Sequence, residues 1–417
     1  MGTAMFTAVT GLLAHQRRLD VVANNIANVN TTGYRGSRAL FQDLLSQTLT
    51  GGSAASGTHG GTNPQQVGLG VSLASIDVDY GQGSLFTTGV ASDLAVQGNG
   101  FFILSDGSTQ HFTRDGSFQL NAVGALIEPA TGLRVQGYMA DENGVVDATG
   151  EPTDIVIPIG NQAIVRATQN VSLAGNLSSD ATAGPPATTI GRTVTVYDSL
   201  GTPRDIQLTF TKLAASGQWQ WTATSTDPDI QSVTGTGTIE FDANGGFVSV
   251  DSSQVFVSFA AGASTVPVDP FEFSMDFSGI SQLSGDSDVT LLSQDGYEPG
   301  ILENFSIGAN GVINGVFTNG LMQTIGQVAL ASFANIGGLI RVGGNMFDAT
   351  PSSGVAQVGL PNTGSRGEVS GGVLEQSNVD LGTEFSNMII TQRGFQANAR
   401  TITAADTLLQ ETVNLVR

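Results

Sequence analysis

LGTEFSNMIITQRGFQANARTITAADTLLQETVNLVR, residues 381–417, is the stretch that decides the fold. Leu381, Phe385, Met388, Gln392, Phe395, Ala399, Ile402, Asp406, Leu409, Val413 and Val416 recur at intervals of four and three, the spacing of a helix that buries one narrow stripe in coiled-coil fashion. Ser377 precedes it and can accept from the amide near Asp380 in a capping box, with the Asp380 carboxylate on the positive end of the helix dipole. At ~1.5 Å per residue the predicted helix spans ~55 Å, too long to lie on a small β domain.

The same alternation occupies the other end of the chain, through Met5, Val9, Leu12, Gln16, Leu19, Ala23 and Ile26, and predicts a helix over about 4–29. Each helix carries one stripe, and the simplest way to bury both is to pack the two ends of the chain on each other. Between them the period falls to two, as in 194–197 and 205–210, segments bounded by Gly, Pro and Asp that predict strands. With 55 glycines in 417 residues, short strands joined by many turns account for the centre. The fold class is therefore mainly β with α-helical termini that pair as a coiled coil. The stretch 51–57, continuing to Asn63-Pro64, is Gly/Ser-rich without apolar period and predicts a flexible linker or extended loop at a domain boundary. A second break in composition falls at 180–186.

A net charge of -21 with no Lys/Arg run argues against nucleic acid and anionic membrane surfaces as partners. No run of eighteen apolar residues could span a bilayer. The absence of cysteine removes disulfides, thiolate nucleophiles and Cys-ligated metals. The first six residues lack a basic region and an unbroken apolar segment, so export, if it occurs, is expected by a route other than a secretory signal. His15, His59 and His111 are scattered without metal-ligand spacing, and His15 is expected on a helix surface. No Gly-x-Ser-x-Gly elbow is present. Gly81-Gln82-Gly83 and Gly235-Thr236-Gly237 lack a dinucleotide fingerprint and predict turns or bulges. Asp141-Glu142-Asn143-Gly144 and Asp286-Ser287-Asp288 have fragments of a calcium loop, but Asn-Gly is the stronger signal, for a hairpin turn. No catalytic residue, metal or cofactor is expected.

The run Val21-Val22-Ala23-Asn24-Asn25-Ile26-Ala27-Asn28-Val29-Asn30-Thr31-Thr32-Gly33-Tyr34 resembles the N-terminal signature of the flagellar rod and hook axial protein family. In physical terms Asn24, Asn25, Asn28 and Gly33 supply local hydrogen bonds and a helix stop. The family pattern continues at 96–102, 112–118 and 392–400. Rod members are generally shorter, which leaves about 130 central residues; there Ala174-Gly175-Asn176-Leu177 and Tyr197-Asp198-Ser199-Leu200-Gly201, with Trp219 downstream, resemble the outer domain of hook members. Ser306-Ile307-Gly308, Thr318-Asn319-Gly320 and 329–333 extend that pattern.

The resemblance implies three layers, terminal helices (1–29 and 377–417), a discontinuous middle β domain (71–166 and 297–376) and an inserted, barrel-like outer β domain (167–296), with a connecting region (30–70) between the first two. It further implies a structural subunit of the bacterial flagellum. This subunit would be exported by the type III apparatus, polymerise with itself into a curved tube that acts as a universal joint, and meet rod, hook cap and hook-filament junction proteins. Met5, Val9, Leu12, Leu19, Ile26, Leu381, Phe385, Met388, Phe395, Ile402, Leu409 and Val413 would then form the polymerisation interface. Phe41-Gln42-Asp43-Leu44-Leu45 is similar to the family's Phe-x-x-x-apolar export element, carried by Phe41 and Leu45. Equally, Phe41, Leu44 and Leu45 have helical spacing and could pack against the middle domain. The alternative within the family is a distal rod protein. An acidic secreted adhesin would instead show tandem Gly/Asp repeats or lack the terminal heptads.

Overall fold

Helix α1 (Gly2–Ala27) and helix α2 (Leu381–Leu415) occupy the two ends of the chain. In the computed structural model, which describes residues 2–54, 60–141, 143–160, 163–259 and 268–415, they pack on each other. Val416, His59 and Glu142 lie outside the described residues. The pairing is antiparallel: Gly11 lies against Asn398, His15 against Gly394, and Arg18 donates to Asn387 Oδ1 at 3.1 Å.

Both helices turn a face to this seam that lies one residue before the apolar register. The more buried positions are Ala8, Gly11, Ala14, His15, Arg18, Val22 and Asn25 on α1, and Glu384, Asn387, Thr391, Gly394, Asn398 and Ala405 on α2; all but Ala14 lie on that face. One residue is a rotation of about 100°. The cause is close approach: a Cβ on Gly11 would stand 2.8 Å from Asn398, and one on Gly394 would stand 2.6 Å from the His15 ring. With the backbones this close at Gly11 and Gly394, Met5, Leu12, Leu19, Ile26, Met388 and Ile402 flank the seam half-buried, while Val9, Leu381, Phe385, Phe395, Leu409 and Val413 are exposed. His15, expected on the surface, is a seam residue.

The helix boundaries differ from the sequence reading at one cap. Asp380, not Ser377, caps α2, accepting from Thr383 N at 2.6 Å, while Ser377 Oγ accepts from Val379 N at 3.3 Å. The chain is held extended up to Asp380 because the Asn378 side chain is committed to other segments: Gly36 N donates to its Oδ1 at 2.8 Å, and its Nδ2 donates to Asp79 O and Gly81 O. Hydrogen bonds from Thr383 hold the Asp380 carboxyl below its ordinary pKa.

The connecting region is extended but paired, which a free linker would not be. Strand β1 (Ser37–Asp43) runs antiparallel to β4 (Val71–Val78), from Ser37↔Val78 to Asp43↔Val71 with a bulge at Leu40/Phe41. β2 (Ser46–Thr50) pairs with β3 (Gln65–Gly68), and a bridge at Ser53↔Thr62 prolongs the ribbon. Phe41, Leu44 and Leu45 are therefore not helical: Phe41 lies on β1, half-buried with its ring edge-on to His15 of α1, and Leu44 and Leu45 are exposed.

The chain divides into two compact units, and 1–157, 305–314 and 323–417 form the first. Its central sheet has the strand order Met322–Val328, Arg134–Met139, Phe101–Ser105, Gln110–Thr113, Met346–Asp348, Ile340–Gly343. Phe101, Ile103, Phe112, Tyr138, Phe333 and Phe347 fill the core on one face. The Asp141–Gly144 sequence closes a hairpin turn, with Asp141 N donating to Val145 O at 2.9 Å and Gly144 N to Asp141 O at 3.0 Å.

The second unit comprises 158–304 and 315–322. Two five-stranded sheets enclose one core of Val171, Val196, Phe210, Trp219, Trp221, Val257, Phe273 and Phe277. The segments 194–197 and 205–210 are strands, in register at Val194↔Ile206. Among the described residues no ladder joins the two sheets, so the expected barrel is built as a sandwich. Asp198 in the tight turn accepts from Leu200 N and Thr202 N, each at 2.9 Å, and pairs with Arg204 at 3.2 Å. Asp227 and Asp229 close on the same guanidinium; burial opposes the Arg204 charge, but the three carboxylates raise its pKa overall.

Candidate assembly interface

The asparagine-rich run at the C-terminal end of α1 builds the joint from which both helices leave the β structure. Asn25 is buried, and its amide acts on Ser37 as a neighbouring strand would: Nδ2 donates to Ser37 O at 2.7 Å and Oδ1 accepts from Ser37 N at 2.9 Å. An aspartate could not supply the donor. The Tyr34 hydroxyl donates to Asn25 Oδ1 at 3.3 Å and accepts from Asn24 Nδ2 at 3.2 Å. Asn28 ends the helix, its Nδ2 donating to Asn24 O at 2.9 Å and its Oδ1 accepting from Thr31 Oγ1 at 3.2 Å. Gly33 adopts φ 65°, and a Cβ there would stand 2.6 Å from Asp115 N. Only glycine meets both conditions.

Beneath this turn lies a buried ionic triad. Glu375, just before α2, sits 2.9 Å from Arg35 Nη2 through Oε1 and 3.4 Å from Arg114 Nη1 through Oε2, with all three side chains no more than 5% exposed. Gly83 N donates to Glu375 Oε1 at 2.9 Å, Arg114 donates to Val96 O and Gly98 O, and Arg35 donates to Gly81 O. Glu375 O also accepts from Gly33 N at 2.8 Å, so one residue holds the exit of α1 and the entry of α2. Burial pulls Arg114 down to about 10, aided by the Arg35 charge and opposed by Glu375. The Nε atoms of both arginines lack a hydrogen-bond partner among the described residues. The triad is thus a costly arrangement that positions segments. Sequence reasoning missed it, although Arg35 adjoins the quoted asparagine motif and Arg114 lies in the 112–118 motif.

Away from the joint the helices offer shape and apolar area, not reactive chemistry. Phe385 is 50% exposed and Val413 65%. Phe6, Leu13, Ile389 and Ile390, which the heptad count passed over, are also more than half exposed. Among the described residues no group of three His, Cys, Asp or Glu could hold a metal ion, and no helix is long and apolar enough to cross a membrane. His111 Nδ1 instead meets Asp348 Oδ1 at 2.6 Å across neighbouring strands.

Comparison with known proteins gives matches along most of the chain. Residues 5–35 match the family described as flagella basal body rod protein, and 95–177 the flagellar hook protein FlgE/F/G D1 domain. Residues 176–297 match the flagellar basal body protein FlaE D2 domain, and 370–415 the flagellar basal body rod FlgEFG protein C-terminal family. The flagellar hook protein FlgE of Borreliella burgdorferi is 39% identical over 444 residues, covering 100% of both chains. That of Escherichia coli is 36% identical over 425 residues, covering 99% of this chain and 100% of its own. The crystal structure of Helicobacter pylori flagellar hook protein FlgE2 is similar in fold, with a TM-score of 0.50 at 15% identity, over 70% of this chain and 99% of that one. With its paired terminal helices, asparagine joint and inserted β unit matched end to end by these relatives, the chain belongs to the flagellar hook protein family and is a structural subunit of the bacterial flagellar hook.

Proposed function

We propose that copies of this chain join through the apolar register of the terminal helices into a curved helical tube, the universal joint that carries torque from rod to filament. One observation carries this reading: several large residues spaced for a helical seam are turned away from the chain's own seam. Val9, Phe385, Phe395, Leu409 and Val413 remain exposed on helices that approach closest at Gly11 and Gly394. Fully burying each large side chain is worth about 1.5–3 kcal/mol, so a neighbouring copy has much to gain by covering them. Met5, Leu12, Leu19, Ile26, Leu381, Met388 and Ile402 complete that register.

Rod, hook cap and hook-filament junction proteins are the partners at the ends of such a tube. Phe41 and Leu45 are the element offered to the type III export apparatus while the chain is still unfolded; once folded, Phe41 rests on His15. The middle layer (71–166 and 297–376) links the helices to the outer insert (167–296).

Phe395→Asp tests the assignment, because it sets an unpaired charge in the apolar register without entering the Gly394 contact. Purified monomer should retain its β content while polymer growth stops. Hooks of normal length from this variant would defeat the proposal.

A further inference from the structure

The middle of the helix pair contains an ionisable group that the assembly reading does not use. His15 lies in the α1–α2 seam, its Cε1 2.6 Å from where a Gly394 Cβ would be, so the ring closes on the α2 backbone itself. Its other side meets the Phe41 ring of β1 with centroids 6.1 Å apart. Nδ1 is buried and has no hydrogen-bond partner among the described residues. Arg18, one turn along, is tied to Asn387 of α2.

We infer that His15 is an acid-sensitive latch of the terminal helix pair: neutral, it lets the helices close, and protonated, it loosens them. A second proton would require Nδ1–H to sit buried without an acceptor. It would also bring a second positive charge beside Arg18, which is held in place by Asn387. The positions facing from α2 are Thr391, Gly394 and Asn398, none of them titratable, and Arg393 points outward as an exposed side chain. On the hairpin side the facing group is Phe41; Asp43, two residues along β1, is exposed, and Arg38 pairs with Asp77 of β4. Burial, then Arg18, lower the His15 pKa from its ordinary 6.5.

The sign follows from linkage. A histidine whose folded pKa is lowered gives up stability as pH falls through 6.5, and the loss is complete below the folded pKa. The test is hydrogen exchange on assembled hooks between pH 7.5 and 4.5, corrected for the intrinsic rate. Peptides of α1 and α2 in wild-type hooks should lose several-fold protection relative to the β units. In His15→Gln the loss should vanish, and in Arg18→Gln, which relieves the repulsion, it should shrink to less than half. Equal loss in wild type and both variants would overturn the inference, and so would wild-type helix protection that is flat across this range. Neither result depends on whether Phe395 lies at an interface between copies.

Discussion

Glu375→Gln should separate the integrity of the joint from that of the β units. The carboxylate sits between Arg35 at 2.9 Å and Arg114 at 3.4 Å, and neutralising it leaves two guanidiniums buried together. Removing one partner of a buried ion pair costs about 3–5 kcal/mol, because the remaining charge is desolvated and uncompensated. Here two charges are left, while the Gly33 N bond to Glu375 O and the volume of the side chain are kept. A loss near the upper end, ~5 kcal/mol, is therefore expected for the unit that holds both helices. The same principle predicts that the triple replacement Arg35→Met, Glu375→Gln, Arg114→Met recovers most of this loss, since no buried charge remains. The assay is urea denaturation of purified monomer followed by near-UV signals of the first unit, with hydrogen exchange to show where protection is lost. Exchange should rise at 33–36, 81–83 and 375–380 before it rises in the sandwich around Trp219 and Trp221. A loss under ~1 kcal/mol in the single variant would refute the reasoning, as would a triple variant less stable than the single one.

Acid should weaken the second unit through Asp295. Its carboxylate accepts from Gln169 N, Asn170 N and Asn170 Nδ2 and pairs with Arg166 at 3.4 Å; burial opposes its ionisation, but these donors outweigh it and lower its pKa from 3.8. Its stabilisation is then present above 3.8 and lost as pH falls through the folded pKa; Asp295→Asn should flatten that acid limb and cost roughly 1.5–3 kcal/mol at neutral pH, measured by thermal unfolding against pH. Unchanged acid sensitivity would exclude this carboxylate as its source. Joining the chain across 168–296 is geometrically mild because Arg166 and Tyr297 are paired across an antiparallel ladder. With the insert as the proposed outer layer, such a deletion should polymerise into straight tubes with impaired motility, since a bend imposes the largest spacing differences on the outside of a tube. Electron micrographs of curved tubes with wild-type pitch would assign curvature to the inner layers.

Much of the architecture is legible along the chain because its causes are local. A three-and-four apolar period can be satisfied only by a helix, a period of two bounded by Gly, Pro and Asp only by a strand, and Asn143-Gly144 only by a tight turn. The helical ends, the β centre and the asparagine-rich helix stop at Asn24, Asn25, Asn28 and Gly33 follow from such patterns. The helix cap was misplaced from Asp380 to Ser377 because the reason for the extended segment, the Asn378 contacts to Gly36, Asp79 and Gly81, is distant in sequence.

Tertiary structure alone decided which face of each helix meets the other. Apolar spacing identifies a stripe that seeks cover but not what covers it. The choice fell to close approach at Gly11 and Gly394, where the absence of a Cβ lets Asn398 and His15 reach the opposing backbone. That rotation moved His15 from an expected surface into the seam and turned Phe385, Phe395 and Val413 outward. It also decided the company of Glu375, whose two arginines come from positions hundreds of residues earlier and meet it only because the segment after α1, the turn after Gln110–Thr113 and the segment before α2 converge within the first unit. Long-range charge pairing leaves no periodic trace in a sequence, since nothing about Arg35, Arg114 or Glu375 in its own neighbourhood distinguishes a buried ion from a solvated one.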